Sequence, residues 1–342
     1  MSVFDHWHPV LCGRMLGKRP VGVRLHGREL VLFRGEGGQI GALEDRCPHR
    51  RMRLSKGKVV GDRLQCAYHG WSFDCAGEGE SPGTPKLHAC AARFDVLEKH
   101  GAIWVKPGNS QPDFPAFEVN GYFHVGTLEH QVRAPLEVVL DNFTEIEHTP
   151  TTHAFFGYSL ERMNEVTVRF EPSDDTVRVV NTGPHRRMSL LWRLLLGIGR
   201  GYHFCDDWTT HFSPVYSVYD HWWSHPETGR ENRVRWRLYI FFTPLDEQET
   251  GIITFAYTRS GYPGPAGCAR LFRRLMLRIL DKEIRLDVDM LHNLADKNTA
   301  LEGMKLSRFD RVLGLNRERI QRIYRGKPAG LTVFPRAGRM AA

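Results

Sequence analysis

Two short segments hold the side chains most able to do chemistry: Cys47-Pro48-His49 and Cys66-Ala67-Tyr68-His69, with sixteen residues between His49 and Cys66. Two thiolates and two imidazoles make a metal site. One arrangement is a [2Fe–2S] cluster with both Cys on one iron and both His on the other, where imidazole raises the reduction potential. The other is a single tetrahedral zinc. Spacing alone leaves both open, but the flanks favour the cluster. Each segment pairs one Cys with one His, whereas zinc fingers place Cys with Cys and His with His. Pro48, Gly70 and Trp71 add the loop-forming and bulky residues that such a pair needs around it.

A second constellation lies in Asp141-Asn142-Phe143-Thr144-Glu145-Ile146-Glu147-His148-Thr149-Pro150-Thr151-Thr152-His153. His148 and His153 stand five apart at the end of an expected helix broken by Pro150. A non-haem Fe(II) oxygenase holds iron with two His and one carboxylate, leaving the remaining positions open. In a chain with 17 histidines the pair means little by itself.

The elements that must position these residues fall into two halves. From Val21 to about Val105, short β segments alternate with Gly-containing turns (VGVRL, ELVLF, QIGAL, AIWV), which predicts a small antiparallel domain. The glycines near Gly35 lack the third Gly and following helix of a nucleotide loop. The stretch Pro107-Gly108-Asn109-Ser110-Gln111-Pro112-Asp113-Phe114-Pro115 favours extended backbone and marks a boundary. Beyond it the pattern predicts a helix over 136–148, strands VTVRF, TVRVV, VRWRLYIFF and IITFAY, and a long helix over about 267–294. This is an α+β domain with room for a cavity, and no internal repeat is present.

The 342 residues are 41% hydrophobic and 25% charged, an ordinary globular composition with enough chain for two domains. The apolar stretch over 188–198 is interrupted by Arg193 and is shorter than the roughly 20 residues needed to span a bilayer. The N-terminus lacks the pattern of a secretory signal, so a cytoplasmic protein with no membrane partner is expected. Beyond Cys47 and Cys66, Cys12, Cys75, Cys90, Cys205 and Cys268 show no paired spacing and are expected to be free thiols. The net charge of +8 is dispersed. Its densest groups, Arg50, Arg51 and Arg53, and the run from Arg270 to Arg278, lack the aromatic interleaving of a nucleic-acid surface, so no nucleic-acid partner is expected. An acidic electron donor docking near Arg50, Arg51 and Arg53 fits better, beside the plain reading of a solvated face. The aromatics Phe155, Phe156, Tyr158, Trp192, Tyr202, Phe204 and Trp208 are candidates to line a substrate pocket, although aromatics more often fill a core.

Residues 40–108 resemble the Rieske motif, and Asn142, Glu145, His148 and His153 reproduce the spacing of the iron-binding segment of Rieske non-haem iron oxygenases. Nearly the whole chain resembles an oxygenase α subunit of the α-only monooxygenase or demethylase type. The resemblance implies a Rieske domain over 1–115, followed over 116–342 by a helix-grip (START-like) catalytic domain with a mononuclear iron. It assigns Cys47, His49, Cys66 and His69 to the [2Fe–2S] cluster and His148 and His153 to Fe(II). The third iron ligand is an Asp on a helix near the C-terminus. Asp287 and Asp289 point about 200° apart on a helix, so only one faces iron, and Asp287 matches the family segment better. Glu145, commonly Asp in this family, is expected to bridge an iron-ligating His to a cluster His of a neighbouring subunit, with Glu147 as an alternative of the wrong helical phase. That bridge implies a homotrimer. Electrons would come from NAD(P)H through a separate ferredoxin or flavin reductase, and O2 would be activated to hydroxylate or O-/N-demethylate an aromatic or polycyclic substrate. The alternatives are cis-dihydroxylation and, from another class, an electron-transfer protein without catalytic iron.

Overall fold

The computed structural model describes residues 2–108, 111–261 and 269–327. Asn109, Ser110, Gly267 and Cys268 lie outside them. The first half contains eleven short strands: β1 (His8–Cys12), β2 (Val21–Leu25), β3 (Arg28–Arg34), β4 (Ile40–Glu44), β5 (Lys58–Val60), β6 (Arg63–Gln65), β7 (Ser72–Phe73), β8 (Glu78–Glu80), β9 (Ala89–Cys90), β10 (Asp95–Lys99) and β11 (Ala102–Lys106). They form three antiparallel sheets, ordered β1-β11-β10, β2-β3-β4 and β5-β6-β7-β8-β9. Glycines and short polar turns stop each strand before it can lengthen, so the half is a stack of small sheets around two apolar clusters, one of which includes Cys47 and Cys66.

The second half is a single seven-stranded antiparallel sheet with helices against it. Its strands are β12 (Phe123–Val132), β13 (Thr167–Pro172), β14 (Thr176–Pro184), β15 (His203–Phe212), β16 (Val215–Ser224), β17 (Val234–Pro244) and β18 (Thr250–Ser260), in the order β12-β18-β17-β16-β15-β14-β13. The helices are α1 (Leu136–Phe143), α2 (Thr149–Thr152), α3 (Leu190–Leu196), α4 (Ala269–His292) and α5 (Arg311–Arg319). Helix α4 buries Leu280, Glu283, Ile284, Asp287 and Leu291. These recur at three- and four-residue steps, so one stripe faces the sheet. No helix among the described residues is long and apolar enough to cross a membrane.

Two expectations differ from the structure. The helix predicted over 136–148 ends at Phe143, where the Thr144 hydroxyl bonds back to the Leu140 carbonyl at 2.7 Å. Pro150 does not break a helix; it sits in the first turn of α2, where a missing N–H costs nothing. Strands β12, β15 and β16 escaped the sequence reading, the last two because Asp206, Asp207, Asp220 and His221 dilute their apolar character. The signal was their alternation, Phe204, Trp208 and Phe212 facing the core.

The halves meet through an apolar seam in which Trp104 of β11 is fully buried. Its ring lies parallel to Phe255 at 5.7 Å and edge-on to Phe241 at 4.9 Å, and its indole N–H donates to the Lys99 carbonyl at 2.9 Å. Trp104→Ala is expected to destabilise the protein by about 3–5 kcal/mol, the usual cost of emptying an aromatic core site. Urea unfolding followed by far-UV circular dichroism measures this.

Candidate metal centres and active site

The two Cys/His loops are built alike. In each, the cysteine N–H donates to the carbonyl five residues on, Cys47 to Met52 at 2.8 Å and Cys66 to Trp71 at 2.7 Å. The N–H four residues on returns to the cysteine carbonyl, from Arg51 at 2.9 Å and from Gly70 at 3.2 Å. That fourth residue is left-handed in both, with φ of 61° at Arg51 and 71° at Gly70. Glycine adopts this freely, whereas an L side chain pays about 1–2 kcal/mol, so the first loop holds a strained Arg to keep its cysteine in register.

The loops face each other. Cys47 and Cys66 are buried, while His49 and His69 are exposed with ring centroids 4.6 Å apart. His49 stacks on Trp71 at 4.7 Å and 5°. Among the described residues, two groups of three bring ligand atoms within 4.8 Å of one another, and neither includes any of these four. A single zinc, with bonds of about 2.0–2.3 Å, needs its donors closer than about 4 Å. The wider spread therefore fits a two-iron cluster with its thiolate iron inward and its imidazole iron at the surface.

The second centre grows from the turn after α1. Tyr219 O–H donates to the Phe143 carbonyl, Arg317 of α5 pairs with Asp141, and Asn316 donates to the Thr144 hydroxyl at 3.0 Å. The chain then reverses through the single turn of α2, with His148 at its N-cap and His153 at its C-cap. Both rings consequently point at α4. His148 Nε2 and His153 Nε2 are 3.0 Å apart, and Asp287 Oδ1 lies 3.2 and 3.1 Å from them. Metal bonds of about 2.1 Å at right angles place neighbouring ligands about 3.0 Å apart. The three atoms thus match one face of an octahedron. Asp289, two residues on, is exposed.

Each remaining ring nitrogen meets a carboxylate. His148 Nδ1 donates to Glu145. His153 Nδ1 donates to Glu283 at 3.1 Å, and Glu283 also accepts the backbone N–H groups of Ala154, Phe155 and Phe156 at 3.0–3.2 Å. Such contacts fix the tautomer that leaves Nε2 free to bind metal. Asn142 donates to Asp287 Oδ1 at 3.1 Å. Glu283 was not foreseen from sequence; the available signal was a carboxylate one helical turn before Asp287. Glu147 is exposed, and its N–H donates to Glu145.

The electrostatics call for positive charge. Burial disfavours protonation of His148, but hydrogen bonds to Asp287 and Glu145 outweigh it and raise its pKa to about 10. His153, equally opposed by burial, is raised to about 9 by Asp287 and Glu283. Burial would raise the Asp287 pKa, yet His153 and His148 hold it well below the usual carboxylate range. Three carboxylates facing two imidazoles suit a divalent cation.

Beside the triad lies a pocket lined by Phe143, Phe156, Phe204, Trp208, Leu238 and Ile240, with Asp206 and His221 as further polar groups. His221 Nε2 is 2.9 Å from Asp206 Oδ1. Of the seven aromatics considered from sequence, Phe156, Phe204 and Trp208 line this pocket, Tyr158 and Tyr202 fill the core, and Phe155 and Trp192 line a separate cavity.

Comparison with known proteins follows the same division. A Rieske [2Fe-2S] domain model matches residues 6–97. The chain is 29% identical over 190 residues to protein TIC 55 of Arabidopsis thaliana, covering 51% of this chain and 35% of that protein. It is 34% identical over 134 residues to the vanillate O-demethylase oxygenase subunit of a Pseudomonas species, covering 36% and 40%. The chain thus spans less than half the length of these curated relatives. Across almost its whole length its fold is that of dicamba monooxygenase, with a TM-score of 0.77 at 19% identity over 93% of this chain and 96% of that one. A caffeine-bound variant of Pseudomonas putida CBB5 NdmA superposes with a TM-score of 0.69 at 21% identity, over 93% and 91%.

Asp287→Ala is expected to abolish mononuclear iron while leaving the cluster intact, and Asp289→Ala to retain both; iron analysis with electron paramagnetic resonance separates the two. Glu283→Ala should weaken Fe(II) binding about 10- to 100-fold, the usual effect of losing a carboxylate behind a ligating His, as read by titrating Fe(II) into metal-free protein.

Proposed function

We propose that this chain, a Rieske [2Fe–2S] protein with the antiparallel Rieske and helix-grip fold of the oxygenase α subunits, is the oxygenase component of a multicomponent system that hydroxylates or O-/N-demethylates an aromatic or polycyclic compound. The observation that carries this reading is the triangle of His148, His153 and Asp287, backed by Glu145 and Glu283. An electron carrier has no use for a second, octahedral-faced site beneath an apolar pocket. The relatives include a vanillate O-demethylase oxygenase subunit and 4beta-methylsterol monooxygenase of Methylococcus capsulatus, which supports monooxygenation over cis-dihydroxylation.

In this reading Cys47, His49, Cys66 and His69 hold the cluster, and His148, His153 and Asp287 hold Fe(II), which supplies dioxygen activation when bound. The protein's own residues do the rest. Asn142 and Glu283 hold Asp287 and His153 in ligating orientation. Phe156, Phe204, Trp208 and Ile240 exclude water and seat an apolar ring. His221, with Nε2 2.9 Å from Asp206 Oδ1 and Nδ1 without a hydrogen-bond partner among the described residues, presents a polar edge to a hydrogen-bonding group of the substrate.

The exposed His49 and His69 are the electron exit from the Rieske half, and Glu145, whose carboxylate holds His148, is the bridge to the mononuclear site. The resemblance to the Rieske oxygenases supports a bridge made to a cluster His of a neighbouring copy, and with it a homotrimer as the working assembly. A ferredoxin or flavin reductase fed by NAD(P)H is the partner, with Arg50 and Arg51 beside the cluster as its basic contact. The assembly is placed in the cytoplasm. The Rieske domain is taken as 1–115 and the catalytic domain as 116–342.

The test is oxygen uptake with a surrogate reductase across aromatic acids, methyl ethers, N-methyl compounds and sterols. Substrate-dependent uptake with matching product is expected; uptake absent from every class in protein loaded with both metal centres would return the chain to an electron carrier. Glu145→Gln should keep both centres and slow single-turnover reduction of the mononuclear iron at least tenfold, measured by stopped-flow decay of the reduced cluster. His221→Phe should raise KM for a hydrogen-bonding substrate about tenfold, the worth of one hydrogen bond at roughly 1.4 kcal/mol, with a smaller change in kcat.

A further inference from the structure

A second cavity of about 230 Å³ lies between α3, α4 and strands β17 and β18. Its walls are Phe155, Trp192, Leu195, Trp236, Phe272 and Met276, with other aliphatic side chains, and among the described residues its polar groups are the hydroxyls of Thr258 and Ser260 and the two indole N–H groups. Thr258 already donates to the Arg235 carbonyl at 3.2 Å. None of the described lining residues is charged.

The cavity shares a wall with the pocket at the triad. Phe155 lines the outer space, and its neighbour Phe156 lines the inner one. The two rings meet edge-on at 5.0 Å. Trp192 of α3 meets Phe155 edge-on at 5.3 Å, and Trp236, also in the outer wall, meets Phe156 edge-on at 5.7 Å. Aromatic side chains thus stand at the boundary of the two spaces. Phe156 is buried while Phe155 is half-buried and turned outward.

The helices that bound it also carry exposed apolar side chains. Leu191 and Leu194 of α3 are 64% and 67% exposed, Leu271 of α4 is 81% exposed, and Phe272 and Leu275 of the cavity lining are themselves exposed. Large apolar side chains grouped in water commonly mark a binding surface. On α4 the apolar row Leu271 and Leu275 runs at i, i+4 into Ile279 inside the cavity.

We propose that the α3–α4 cavity is the outer half of the substrate site, holding the part of an extended, flat apolar substrate that lies beyond the reacting ring, with the Phe155 and Phe156 rings at the junction of the halves. This rests on the oxygenase reading for the identity of the inner half. The substrate class that follows is a fused-ring or alkyl-extended aromatic compound whose polar group, if present, lies at the inner end near His221. A single-ring acid would leave the outer half unused.

The test uses the metal-loaded protein without an electron donor, so that no turnover occurs, and measures phenanthrene and toluene binding separately by equilibrium dialysis. Two variants fill the outer cavity from opposite walls, Met276→Trp and Leu195→Trp. Their cluster absorption and far-UV circular dichroism report folding, and whichever variant folds is read. The expected result is that unaltered protein binds phenanthrene more tightly than toluene and that filling lowers this preference at least tenfold. A preference that survives filling, or no phenanthrene binding by the unaltered protein, overturns the proposal. Because no oxygenation is involved, failure here leaves the oxygenase reading standing. Conversely, absent oxygen uptake with retained phenanthrene preference removes that reading and leaves the cavity assignment.

Discussion

Three donor atoms held 3.0–3.2 Å apart in a buried pocket are the constraint on which the catalytic half depends. Nothing in their own chemistry keeps them there. Two imidazoles with lone pairs aimed at one point and at a carboxylate repel one another unless a proton or a cation lies between them, and burial makes each uncompensated charge cost several kcal/mol. The chain meets this by surrounding the triad with further carboxylates. Glu145 and Glu283 take the outward N–H of each histidine, and Asn142 takes one face of Asp287. The one-turn helix α2 sets the histidine spacing, and α4 supplies Asp287 and Glu283 four residues apart on its buried stripe. Glu283 has a further role as the acceptor for three consecutive backbone N–H groups, so the turn carrying Phe155 and Phe156 is tied to the same carboxylate that orients His153.

The Rieske half solves a different problem with a repeated device. Two loops share one hydrogen-bonding pattern and one left-handed residue, so that each presents its cysteine inward and its histidine outward. The repetition explains why a strained Arg51 is kept where Gly70 would be easy. Buried cysteines and exposed histidines give the paired loops an inner and an outer edge, and in the proposed reading electrons leave at the outer one. The seam around Trp104 joins this half to the large sheet, so its placement rests on a packed apolar core.

Between the centres and the surface lie two apolar spaces divided by aromatic rings. The inner one meets the triad and carries the Asp206–His221 pair. The outer one has no charged residue in its described lining and lies beneath helices that carry exposed leucines. Their chemistry differs in a way that discriminates among substrates: hydrogen bonding at the inner end, shape and apolar area at the outer end. Specificity of the second kind is modest for each methylene but grows with every ring that is buried.

That Cys47, His49, Cys66 and His69 come together could be read in the sequence because each loop is local: four to six consecutive residues fix its geometry. The histidine pair was legible for the same reason, five residues spanning one helical turn. The long α4 and four of the catalytic strands could be read from periodicity, since burial of one face leaves a regular pattern. Strands β15 and β16 were hidden because they line a functional pocket and carry acids and a histidine where a pure core would carry aliphatics. The choice between Asp287 and Asp289 was narrowed by helical phase, but only the packing of α4 on the sheet set which phase faces the histidines. Glu283, the partner of His153, and the division of seven aromatics among core, inner pocket and outer cavity were decided by tertiary structure alone. Those assignments depend on contacts between segments from tens to more than a hundred residues apart, and nothing local in the chain encodes them.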